Sequence, residues 1–569
     1  MADEGSGGGP VPFWRGDLDL YVEISAPEWF AMPADIVFVN GPVFTAGPAR
    51  SFVRALAVTG ERITAVGDEA TVSESIGPAT RVVDLAGRML SPGFQDAHCH
   101  PGSSGLDLLR CSFEGCASAE DAIAYVARYA ADHPETEWIL GGGWHQTWFP
   151  RGCPPKEALD AVVPDRPVLV YNADGHGAWA NSLALSLAGV EASTPDPADG
   201  RIERDGDNRP QGTLHEGAAW LVERMAPEGT DGDVRSGLLA GQAYLLTKGI
   251  TAWQDAHVDE ETHRAYRALA ASDELIGTAV GALWWSPRKG MEQVEDLERM
   301  RSEPLGRYLP TTVKLMLDGV VENFTGSMLE SYLDGAGHQT GNTGIDFLEP
   351  DRLREIVVEL DSRGFSCHFH AIGDAAVRSG LDAVEAARLA NGWMGTRHTI
   401  CHIQVVHPDD IPRFRRLGVV ANAQALWAQD GEDQRVLTKP YLGEERSRWQ
   451  YPFGSLLRAG VTLAMGSDWG VSTADVMDQI DTAVTRSNHD EPDAGPLNEN
   501  ERITFLDALA GFTSGSAYVN HREGVSGTLD VGMLADLAVI DRDPMASGLI
   551  RDATVAMTLV GGRVVYEEV

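Results

Sequence analysis

Ser91-Pro-Gly-Phe-Gln-Asp-Ala-His-Cys-His-Pro101 ends a short apolar run on two histidines spaced two apart. The run reads as a strand, and strand side chains alternate faces, so His98 and His100 point the same way. Two neutral imidazoles on one face can chelate a zinc-class ion. Asp96, at the same parity, can orient a ligand or join the shell. Spacing alone is weak evidence, because ordinary surface or core histidines also fall two apart.

Outward from this stretch, residues 91 to about 526 alternate strand-like and helix-like segments, which predicts parallel β/α architecture. Eight candidate strands follow: the one ending at His100, then Gly249 to His257, Ile276 to Trp284, Thr311 to Asp318, Phe365 to Ile372, His398 to Val406, Val419 to Ala425 and Val461 to Asp468. Eight strands close a (β/α)8 barrel. The interval from about 118 to 235 is too long for one connection and reads as a subdomain inserted after the first barrel strand, over the mouth. Short β-rich runs in 34–90 return in 527–569, predicting a small β-sandwich built from both chain ends. Residues 1–33 form an N-terminal extension, with the acidic, glycine-rich start read as disordered. Its aromatic part, with Phe13, Trp14, Tyr21, Trp29 and Phe30, fits either a subunit contact or a cover over the site.

Composition narrows the function classes. Lys and Arg number 45 against 84 Asp and Glu, a net charge of −39, which repels nucleic acid and anionic membranes. No run approaches the roughly 20 apolar residues of a membrane span, and the first ten residues lack a secretory pattern, so a cytoplasmic protein is expected. Six cysteines without framework spacing predict reduced thiols.

The ionisable residues gather at strand ends. Lys314, His370, His402 and Asp468 each lie within or at the end of a candidate strand, and with His98 and His100 they make four imidazoles, one carboxylate and one amine able to converge on a barrel axis. By parity, Cys99, Cys367 and Cys401 should face the helix layer as small apolar groups. His368, His398 and Gln404 share the inward parity, either supporting ligands and substrate or sitting as satisfied core groups. An ammonium cannot bind a cation, so Lys314 either pairs with Asp318 or adds CO2 to become an anionic carbamate.

The set resembles the metal-dependent amidohydrolase superfamily, and within it the YtcJ-like (amidohydrolase 3) branch. The motifs are Pro92-Gly-Phe-Gln-Asp-Ala-His-Cys-His100, Gly142-Gly-Trp144, Asp174-Gly-His-Gly-Ala-Trp-Ala-Asn-Ser182, Val313-Lys-Leu-Met-Leu-Asp-Gly319, His370-Ala-Ile-Gly-Asp374, Gly466-Ser-Asp468, Thr513-Ser-Gly-Ser-Ala517 and Gly532-Met-Leu-Ala-Asp-Leu537. The resemblance implies an α/β protein with a distorted (β/α)8 TIM barrel and one or two divalent ions, usually zinc. It assigns one ion to His98, His100 and Asp468 and a second to His370 and His402. N6-carboxylysine at Lys314 would bridge the two.

Asp468 then becomes general base and acid, and His176 or His370 helps orient substrate. Relatives are commonly dimers, so a homodimer acting on a small-molecule amide is implied. The look is nearest to N-substituted formamide deformylases. Trp144 and Trp469, with other aromatics of the insertion and strand ends, suit an apolar substituent or equally pack a lid onto the barrel. Ester or lactone hydrolysis, decarboxylation and a metal-free scaffold are the competing readings.

Overall fold

A computed structural model describes residues 32–113, 115–227 and 230–568; the predictions for the extension before residue 32 lie outside these. Eight parallel strands form its centre: β1 Phe94–Cys99, β2 Ile250–Val258, β3 Thr278–Trp284, β4 Tyr308–Met316, β5 Ser366–Ala371, β6 Thr399–His402, β7 Val420–Ala423 and β8 Leu463–Met465. They pair in sequence order, giving a nearly closed barrel sheet. Nearly every strand residue is buried, as expected when helices cover the outside and side chains fill the inside. The outward faces supply Val313 and Leu315 of β4, Cys367 and Phe369 of β5 and Ile400 of β6 to one core shared with the helices.

The ladder is interrupted between β1 and β8, which share no strand pairing. Other bonds cross this seam: Asn422 Nδ2 donates to the Ala97 carbonyl at 2.9 Å, and Asp468 N donates to the His98 carbonyl at 2.7 Å. Asp96 accepts from Ser467 N at 3.0 Å and from the Ser467 hydroxyl.

After His100 the chain enters the helix Pro101–Asp107, with proline in its first turn. This helix crosses Asp231–Thr247, which begins with a capping box between Thr230 and Asp233. The crossing is backbone to backbone: a Cβ on Gly105 would meet Gly237 O at 1.9 Å and Gly241 N at 2.5 Å. Glycine there lets the two helices approach closely just beyond the His98/His100 pair.

The insertion folds as a six-stranded mixed sheet within Cys111–Glu216. It docks onto the loop that leaves β4. Asn323 Nδ2 donates to the His176 carbonyl at 3.1 Å, Gln146 Nε2 to Asn323 Oδ1 at 2.9 Å, and the Thr325 hydroxyl to Glu216 Oε1 at 2.8 Å. Away from the mouth, a four-stranded sheet from residues 36–84 faces a six-stranded sheet that combines Val43–Phe44, Phe52–Val53 and Met89–Pro92 with Leu537–Ile540, Val555–Val560 and Arg563–Glu567. Phe38, Leu56 and Val58 pack with Leu537, Val539 and Leu559 between them.

Candidate metal centre

His98, His100 and Asp468 converge at the carboxyl end of the barrel: both Nε2 atoms lie 3.3 Å from Asp468 Oδ1. Lys314 Nζ is 3.4 Å from His98 Nε2, and His402 Nδ1 is 3.7 Å from Asp468 Oδ2. His370 stands beside His402, their rings 4.5 Å apart, with its Nε2 3.2 Å from the Gly319 carbonyl. The six residues predicted as ligands thus come together. Gly466, between β8 and Asp468, is fixed by this convergence, since a Cβ there would sit 2.5 Å from His98 N.

Among the described residues, two buried atoms in the chamber, His402 Nδ1 and Asp468 Oδ1, have no well-aligned hydrogen-bond partner, although the His98 and His100 Nε2 atoms stand 3.3 Å from the latter. An orphaned buried acceptor costs on the order of 1–3 kcal/mol unless something binds it. Ligand atoms of His98, His100 and Asp468 lie within 4.8 Å of one another, and so do those of His98, Cys401 and His402. This donor set suits a zinc-class ion.

Electrostatics agree. Burial, then the neighbouring Lys314, pulls His98 down to about 3, and burial also holds His368, His370 and His402 well below their ordinary value. The rings are therefore neutral, with lone pairs available. Burial alone would raise the Asp468 carboxyl, but His98, His100 and His402 outweigh it and keep the group ionised. Burial also lowers Lys314, favouring the neutral amine.

Behind the ligands runs a hydrogen-bonded relay. Gln254 Nε2 donates to the Thr312 hydroxyl at 3.3 Å, which turns Gln254 Oε1 toward His368 Nδ1 at 2.5 Å. His368 Nε2 then accepts from His98 Nδ1 at 2.7 Å, leaving the His98 Nε2 lone pair facing the chamber.

Several predicted roles change. His398 lies in the helix layer, not the chamber: its Nε2 donates to Asp361 Oδ1 at 3.0 Å and its Nδ1 accepts from Cys367 N at 3.1 Å. The reason lies in β6. His402 and Ile403 adopt φ of 71° and 45°, which breaks strand alternation and turns His402 back toward the face already occupied by Cys401. Cys401 therefore faces the chamber, whereas Cys99 and Cys367 pack outward as expected. Asp318 does not pair with Lys314; it accepts from the amides of Ser327, Ile372 and Gly373. Asp96 buttresses the seam and is not among the clustered ligands.

Of the predicted substrate residues, His176 alone among the lid side chains reaches the ligands: its ring is 5.3 Å from His370, and its Nδ1 is 2.7 Å from Glu216 Oε2. Trp144 is buried within the insertion, donating to the Val170 carbonyl and packing edge-on against Phe149 and Trp179. Gln404 joins an amide chain through Gln450 to Gln434. The Trp469 ring stacks on Tyr244 with centroids 4.7 Å apart.

Sequence reading missed Gln254, Glu216 and His257. His257 is the penultimate residue of β2, exposed and against Trp284 with rings 4.2 Å apart. Its place at a strand end was the available signal; Glu216, inside the insertion, offered none. A further Cys153–Glu203–His215 group lies in the insertion, but Arg201 already neutralises Glu203 at 2.6 Å.

The profile of the amidohydrolase family (amidohydrolase 3) matches residues 81–566. The chain belongs to this family. This amidohydrolase is 31% identical over 545 residues to the Protein LONG AFTER FAR-RED 3 of Arabidopsis thaliana, covering 94% of this chain and 92% of the relative. It is 29% identical over 549 residues to an N-substituted formamide deformylase of Arthrobacter pascens, covering 94% and 98%. Among solved structures, an uncharacterized metal-dependent hydrolase from Pyrococcus furiosus superimposes with a TM-score of 0.69 at 26% identity, covering 90% of this chain and 99% of the other.

Proposed function

We propose that this amidohydrolase is a metal-dependent hydrolase of a C–N bond, with an N-substituted formamide or related amide as substrate. The observation that carries the reading is the pair of orphaned buried atoms, His402 Nδ1 and Asp468 Oδ1, facing one chamber with neutral imidazoles around them. His98, His100 and Asp468 would hold one zinc-class ion, His370 and His402 a second, with Lys314, carboxylated or not, between them. When bound, such an ion polarises a carbonyl and lowers the pKa of water toward neutrality.

The chain supplies the rest. Asp468 is ionised and buried, so it can take the proton of the attacking water and pass it to the leaving nitrogen. His176 projects from the insertion toward His370. Burial alone would lower its pKa, but the adjoining Glu216 carboxylate raises it to about 9, so the ring is a charged donor able to hold the substrate carbonyl oxygen. The insertion is tied to the loop after β4 through its contacts with Asn323 and Thr325. The formamide reading is supported by the deformylase relative, which covers nearly the full length of both chains.

The test is a panel of N-substituted formamides, acetamides, cyclic imides and lactones, run with metal-loaded and chelator-stripped protein. Metal-dependent release of amine and formate is expected. Equal turnover without metal, or activity on lactones alone, would overturn the reading.

A further inference from the structure

Cys401 is fully buried at the end of β6, paired in register with His370 on β5 and Asn422 on β7. Its thiol lies in the chamber. Sγ and ring nitrogens of His98 and His402 all fall within 4.8 Å of one another, and although burial raises the thiol to about 12, Lys314 and the Asp468 carboxylate stand nearby. The thiol donates to the Phe369 carbonyl at 2.9 Å. A buried cysteine kept merely for packing would point where Cys99 and Cys367 point, into the helix layer. Here the left-handed backbone at His402 brings sulfur and imidazole from consecutive residues to one place.

We propose that Cys401 is a sulfur ligand of the metal centre, shared between the ion assigned above to His98 and the one assigned to His402, whose nearest ring nitrogens flank its sulfur; this rests on the metal-dependent reading above. On binding, the Sγ–H bond breaks, its proton passes to buffer, and the sulfur lone pair forms the bond to the ion. The carbonyl of Phe369 gives up its thiol donor. Tetrahedral zinc, with bonds of about 2.3 Å to sulfur and about 2.0–2.1 Å to nitrogen, needs ligand atoms roughly 3.6 Å apart. A spread within 4.8 Å therefore closes by about an ångström, within reach of side-chain rotation.

The experiment is zinc K-edge X-ray absorption on full-length protein loaded with one equivalent of zinc, with cobalt substitution as a second readout. Wild type should show one sulfur at about 2.3 Å and a thiolate-to-cobalt charge-transfer band. Both should vanish in Cys401→Ser, with metal affinity falling at least about tenfold. Both should persist in Cys153→Ser, which removes the other clustered thiol. Metal bound through nitrogen and oxygen alone in wild type overturns the proposal while leaving the hydrolase reading intact, and needs no variant to fold. Sulfur that survives Cys401→Ser and disappears in Cys153→Ser also overturns it. Wild type that takes up no metal overturns both.

Discussion

His368 Nε2 sits 2.7 Å from His98 Nδ1, so the ring behind the site decides which nitrogen of His98 meets the chamber. Gln254 in turn decides the tautomer of His368. Replacing His368 by Ala would free the His98 ring to rotate. A loss of about 10–100-fold in zinc affinity is expected, the usual cost of removing an outer partner of a metal-binding histidine. Competition against a fluorescent chelator measures it; unchanged affinity would show that the relay does not orient His98.

Asp468→Asn keeps the shape and one carbonyl oxygen but removes the proton acceptor. Turnover should drop by about 10²–10⁴-fold while the thermal unfolding midpoint and much of the metal remain. Single-turnover kinetics with matched metal content distinguish this from metal loss. An unaltered rate would remove Asp468 as the base.

The His176–Glu216 pair predicts an alkaline limit. The His176 pKa is raised, so the stability and the charge it contributes are fully present below its ordinary value of 6.5 and are lost as pH rises through about 9. Asp174, Asp468 and His370 also face this ring, the two carboxylates favouring its charge and His370 staying neutral. Activity should fall above about pH 9, and Glu216→Gln should move that limb toward neutral pH. A pH–rate profile of the two proteins checks it; coincident alkaline limbs would count against the imidazolium.

Gly466→Ala places a methyl against the His98 backbone at 2.5 Å, a contact that only backbone movement relieves. A destabilisation of about 1–3 kcal/mol is expected, together with weaker metal binding if His98 is the ligand proposed above. Denaturant unfolding and zinc titration together report both effects.

Much of this was legible in the chain. The alternation of apolar strands with helical segments reflects the two-sided burial of a parallel sheet, and all eight strands fall where that pattern put them. The clustered histidines, lysine and aspartate were legible because buried ionisable groups are costly and rarely fall at strand ends by chance. What failed was parity at β6. Strict alternation sent His398 inward and Cys401 outward, and the positive φ of His402, which no residue type in that segment announces, reversed both consequences. The tryptophans misled for another reason: Trp144 and Trp469 satisfy their apolar area against Phe149, Trp179 and Tyr244, neighbours that local sequence cannot reveal. Glu216 was hidden because its partner, His176, lies 40 residues away in the bend that precedes strand Gly177–Ala180 of the insertion.

The gap in the ladder between β1 and β8 has a mechanical consequence. His98 and Asp468 stand on opposite banks of that gap, so an ion gripping both, as proposed above, would act as a clasp where the described strands of the cylinder lack continuous stitching. Occupancy at a hundredfold excess over the dissociation constant adds about 2.7 kcal/mol of resistance to unfolding. That reinforcement falls where the wall is thinnest, so chelated protein should exchange amide hydrogens along β1 and β8 sooner than along β4 and β5.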